Sequence, residues 1–122
     1  MRLWRGFFGF AGFYNLLIGL GMVAASGAIA ADMGLSPPGA GGYAIQFIGL
    51  MIAVFGLGYL LVAHNPIRHR GIVTIGVAGK IAAAALAILH RADLPVSTFY
   101  LSLTDLPFAA LFLVFLARAP KA

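Results

Sequence analysis

Apolar residues dominate four long stretches of the chain, and polar residues gather in the short segments between them. The first apolar run follows Met1-Arg2-Leu3-Trp4-Arg5 and covers about residues 6–26. The second covers about 43–63, the third about 71–90 and the fourth about 97–118. A helix that crosses the hydrocarbon core needs roughly 20 predominantly apolar residues, and each run meets that length. The pattern predicts an all-α, polytopic membrane protein with four transmembrane helices in an antiparallel bundle and short loops, forming a single domain. The second and third runs are separated only by His64-Asn65-Pro66-Ile67-Arg68-His69-Arg70-Gly71. Asn-Pro opens a tight turn there, and Gly71 is expected to let the chain enter the third helix.

Two breaks in the pattern qualify the layout. Residues 26–42 contain Ser36-Pro37-Pro38-Gly39-Ala40-Gly41-Gly42, a composition expected to interrupt helix, while the preceding AIAADMGL (28–35) suits one short helix on the membrane surface. Pro107 lies inside the fourth run and is expected to kink it or loosen its hydrogen-bond ladder, freeing the carbonyl of Leu103. The first run resembles a signal peptide, with Ala28-Ile29-Ala30 as the cleavage motif. Its length and the Asn15 in its middle favour a retained helix anchored at the interface by Trp4.

Composition agrees with the pattern. The chain of 122 residues is 62% hydrophobic and 9% charged, with a mean hydropathy of +1.03, whereas soluble domains carry about 25% charged residues. The absence of cysteine removes disulfides, thiolate metal sites and cysteine nucleophiles. A net charge of +5 does not imply nucleic-acid binding, because the basic residues sit at the ends of the apolar runs. With four spans, Arg2, Arg5, Arg68, Arg70, Arg118 and Lys121 all fall on one side and Arg91 alone on the other. The positive-inside rule then places both termini in the cytoplasm, and the expected location is a bacterial inner membrane.

The candidate chemistry lies inside the apolar runs. Lys80 is near the middle of the third run and Asp105 within the fourth. A lysine at the bilayer centre costs roughly 2.5–3.5 kcal/mol on insertion scales, so such groups face partners or wet cavities. At 1.5 Å of rise per residue, Lys80 lies roughly 12–14 Å from the cytoplasmic side, Asp105 roughly 18–20 Å and Asn15 roughly 15 Å. The three are expected to meet near the midplane. Small residues three and four positions away mark close helix contact: Gly76, Val77, Ala83 and Ala84 around Lys80, and Ala11, Gly12, Ile18 and Gly19 around Asn15. Tyr14 is positioned to join this polar set, and Gln46 to hydrogen-bond across the bundle. The Gly49, Ala53, Gly56 stripe reads as a packing seam.

Arg68, Arg70 and His69 form a basic turn expected to meet lipid headgroups. Paired carboxylates, a nucleophile with its base, and a metal-ligand cluster are all missing from the pattern, so no catalytic residue, metal or cofactor is assigned. The expected role is a non-catalytic accessory subunit or homo-oligomer, with membrane lipids, a second copy or a larger membrane complex as partners. The alternative is a small-molecule site for a lipid or quinone, or a proton or ion relay, built on Lys80, Asp105 and Asn15.

The stretches FYNLLIGLGM (13–22), FGLGYLL (55–61), RGIVTIGVAGK (70–80) and DLPFAALFLVFL (105–116) together resemble the small four-helix inner-membrane proteins of the DoxX-like group. The resemblance covers most of the chain through helix layout and a few glycines. It implies the four-helix fold and, for function, an accessory role beside redox or quinone systems.

Overall fold

A computed structural model of the chain describes residues 1–35 and 38–120, so Ser36 and Pro37 of the proline-glycine loop and Lys121 of the basic C-terminus lie outside the described residues. Every regular element among them is helical: α1 (Arg2–Ala24), α2 (Ser26–Asp32), α3 (Pro38–His64), α4 (Arg70–Leu89), α5 (Val96–Leu103) and α6 (Asp105–Arg118). Four segments are long and apolar enough to cross a membrane, at Arg2–Ala24, Gly39–His64, Arg70–Leu89 and Val96–Arg118. Large apolar side chains stand outward along them, Phe13 and Leu17 each 63% exposed, as suits helices solvated by lipid.

Several boundaries depart from the expected ones. α1 starts at Arg2, ahead of the apolar run, because Arg2 to Arg5 contain no helix breaker and the Arg5 amide already bonds the Met1 carbonyl at 2.9 Å. The short helix of the first loop forms, but from Ser26 to Asp32. It ends where Gly34 takes φ +68°, the left-handed conformation in which glycine is favoured. There the Leu35 amide bonds the Ala30 carbonyl at 3.0 Å and the Gly34 amide bonds that of Ala31 at 3.1 Å, the two bonds of a Schellman motif.

The expectation that Gly39 to Gly42 interrupt helix is wrong: α3 begins at Pro38. Proline suits the first helical position, where its missing amide would be unpaired anyway. Gly41 is required by packing, since a Cβ there would lie 2.7 Å from Leu35 Cβ and 3.3 Å from Ala30 Cβ. Gly71 has no special role as a hinge. The helix already includes Arg70, and Gly71 has neither a positive φ nor a neighbour within 4 Å of a built Cβ.

The fourth span is two helices rather than one. The interruption is at Thr104, whose amide bonds the Leu101 carbonyl at 3.1 Å, a shortened i→i−3 turn. Pro107 then sits in the first turn of α6, where no intrahelical donor is needed. The loosened ladder expected from Pro107 is present, displaced to the residues just before it.

The chain forms two compact units. In the unit Phe8–Leu60, α1 and α3 meet along glycines: a Cβ on Gly12 would touch the Gly56 carbonyl oxygen at 2.7 Å, and one on Gly49 would touch that of Gly19 at 2.6 Å. Numbers rise on one helix as they fall on the other, so these two segments run antiparallel. The expected Gly49, Ala53, Gly56 seam is there, with Ala53 buried. Gln46 on α3 donates to the buried Ser26 hydroxyl at 3.1 Å, tying α3 to the start of α2.

The other unit comprises Met1–Phe7 and Leu61–Ala122. Here α4 packs against α6, and the first turns of α1 cover α6 through aromatic rings. Trp4 meets Phe115 edge-on at 5.2 Å, and Phe7 meets Phe112 edge-on at 5.8 Å. Such pairs add about 0.5–1.5 kcal/mol beyond area burial.

Candidate functional site

Lys80 sits on the face of α4 that carries Val73, Gly76, Val77, Ala84 and Ala87, all buried. It is itself only 6% exposed. Small residues on either side let α6 approach, and the ammonium reaches Asp105 Oδ1 at 2.9 Å. Two aromatic rings complete its surroundings, with Nζ 5.0 Å from the Phe108 centroid and 5.8 Å from that of Phe112. Phe108 and Phe112 lie three and seven residues beyond Asp105, so one face of α6 supplies the carboxylate and both rings. A desolvated cation–π contact contributes about 2 kcal/mol, so the rings are a substantial second partner.

Asp105 opens α6. A carboxylate in the first turn interacts favourably with the helix dipole. The pair is asymmetric: the Lys80 side chain is 7% exposed and that of Asp105 27%. The positive member is enclosed while the negative member keeps an open edge. Net charge is zero, and the pair joins α4 to α6, so that removing either partner would strand a charge between them.

Asn15 belongs to the other compact unit. It is buried on α1, and its amide donates to the Ile52 carbonyl of α3 at 3.3 Å, between the two glycine contacts. The expected inward face of Asn15 is therefore correct, and its bond holds the α1–α3 seam. Tyr14 is half-buried, its ring 6.2 Å from Phe10. Gln46 is exposed and makes its bond to another helix, at Ser26 of α2.

The basic turn divides by residue. Arg68 is exposed, and its backbone amide donates to Asn65 Oδ1 at 3.1 Å, a local side-chain-to-backbone bond that accounts for the asparagine at the turn. His69 is half-buried just before α4. Arg70, expected with them at lipid headgroups, instead turns its guanidinium inward. Its Nη2 donates to the Leu116 carbonyl near the end of α6, and it lies 5.6 Å from the Phe115 centroid. The last carbonyls of a helix lack intrahelical donors and carry partial negative charge, so Arg70 caps α6. Its Nη1 is buried without a hydrogen-bond partner. Hydropathy treats Arg70 as another flanking charge; the available signal was that it opens α4 within reach of the end of α6 if the two helices are antiparallel.

Among the described residues no group of three or more histidine, aspartate or glutamate side chains is gathered in metal-binding proximity. No family model, curated protein or solved structure matches the chain.

Proposed function

We propose that the chain is a non-catalytic, four-span protein of a bacterial inner membrane, with both termini cytoplasmic, acting as an accessory subunit or homo-oligomer. The observation that carries the reading is the enclosure of Lys80 by Asp105, Phe108 and Phe112. An ammonium so surrounded is committed to holding α4 on α6. The residues suited to chemistry are spent on packing in the same way: Asn15 on Ile52, Gln46 on Ser26 and Arg70 on the end of α6. The resemblance of the sequence to DoxX-like proteins would put that role beside a redox or quinone system.

A second reading, a small-molecule site or an ion relay at the pair, is favoured by one observation, the 27% exposure of the Asp105 side chain. The two are separated with Lys80→Met, Asp105→Leu and the double variant, following yield of folded protein and assembly size after mild detergent extraction. A structural pair gives two badly destabilised single variants and a double variant that recovers. Three variants with unchanged fold and assembly defeat the packing role and leave ligand or ion chemistry as the reason for the charges.

A further inference from the structure

The contact between Trp4 and Phe115 gathers three stretches of one compact unit at the end of α6. Trp4 brings the first turn of α1, with Arg2 and Arg5. Arg70, 5.6 Å from the Phe115 centroid, brings the turn before α4, with Arg68. Arg118 follows Phe115 by three residues and closes α6. Arg2, Arg5, Arg68 and Arg118 are exposed, whereas Arg70 is committed to the Leu116 carbonyl.

The carboxylates of this unit are engaged elsewhere. Asp105 pairs with Lys80, and Asp93 lies 3.7 Å from His90 in the loop beyond the opposite end of α4. Among the described residues, the four exposed guanidinium groups have no ion-pair or hydrogen-bond partner. Gathered charges of one sign repel one another and raise the local concentration of an anion. Guanidinium groups suit phosphate in particular, because their fork of donors matches its oxygens.

Apolar surface accompanies these charges. Leu3, between Arg2 and Trp4 in the chain, is 83% exposed, and Trp4 is half-buried. Tryptophan favours the headgroup level of a bilayer. A free anion would use only the arginines, whereas a lipid with an anionic head uses the arginines and the apolar side chains together.

We propose that the start of α1 and the end of α6 form a seat for an anionic phospholipid. Arg5 and Arg118 hold its phosphate, Leu3 and Trp4 lie beside its acyl chains, and Arg2 and Arg68 add to the positive field. Arg70 takes no part. The seat goes beyond the accessory role and stands independently of it, since neither the Lys80–Asp105 pair nor an assembly is needed to form it.

Trp4 is the one tryptophan of the chain, so its emission reports on lipid at the seat. The full chain in mild-detergent micelles is titrated with phosphatidylglycerol carrying a spin label high on its acyl chain, and separately with phosphatidylcholine labelled in the same way. One arginine near an anionic surface is worth about fivefold in affinity. The native chain should therefore be quenched by phosphatidylglycerol at a lipid content more than about tenfold lower than by phosphatidylcholine. Arg5→Gln and Arg118→Gln should each cut that preference about fivefold. Arg91→Gln, an exposed charge beyond the opposite end of α4, should leave it unchanged. Equal quenching of the native chain by the two lipids overturns the seat. A loss in Arg91→Gln as large as in Arg5→Gln overturns it too, because net charge alone would then set the preference. Reversal of the quenching by inorganic phosphate, but not by sodium chloride of equal ionic strength, would make the site one for free phosphate and overturn the lipid.

Discussion

Gly12 and Gly56 approach each other reciprocally: a Cβ built on either would lie 2.7 Å from the carbonyl oxygen of the other. Backbone meets backbone at this point, so no rotamer change can relieve an added methyl. Water and lipid are both excluded from a contact this close, and packing of this kind replaces the hydrophobic effect as the cohesive term between helices in a bilayer.

Gly12→Ala and Gly56→Ala should therefore each destabilise the protein by about 1–3 kcal/mol, the usual range for overpacking, despite the gain of about 1 kcal/mol in helix propensity. Gly21→Ala, where nothing lies within 4 Å of the built Cβ, should be neutral or stabilising. Unfolding in mixed detergent-SDS micelles measures the contrast. Equal responses at the three sites would show that α1 and α3 do not touch along this seam.

Asn15→Leu should cost little, about 0.6 kcal/mol, the average for hydrogen bonds between membrane helices. The same assay distinguishes this from Lys80→Met, where stranding the Asp105 carboxylate should cost about 3–5 kcal/mol. The difference follows from what is left behind: an Ile52 carbonyl still within its helix in one case, a lone charge in the other.

Arg70→Met should lose about 1.5–3 kcal/mol, as expected for a charged hydrogen bond, and loosen the end of α6. Arg68→Met should leave stability unchanged, because only the Arg68 backbone is engaged. Amide exchange in residues 114–119 reports the loss of the cap directly. Equal protection in both variants would mean that Arg70 does not hold Leu116.

With six of the eight basic residues expected on one side, green fluorescent protein fused after Ala122 should be fluorescent in bacterial cells and a periplasmic alkaline phosphatase fused there inactive. A phosphatase inserted after Ala92 should be active. The opposite result at either position would exclude the proposed four-span topology.

Local pattern was enough for the number of membrane-length segments, the glycine seam, the turn at Asn65-Pro66 and the meeting of Lys80 with Asp105. These depend on hydropathy, on spacing at 3.6 residues per turn and on rise along one helix, all legible within a short window. Pattern misjudged the start of α3, because proline is accommodated at the first helical position and Gly41 allows the close approach of Leu35 and Ala30. It also grouped Arg70 with Arg68, although one caps α6 and the other is exposed.

The sequence by itself determined which charges had to be satisfied within the apolar spans, since a bilayer tolerates none unpaired. Only the tertiary structure decided by whom. Partner choice depends on how each helix is rotated about its axis and set in register against its neighbour. That rotation gave Asp105 and two phenylalanines to Lys80, Ile52 to Asn15 and the end of α6 to Arg70.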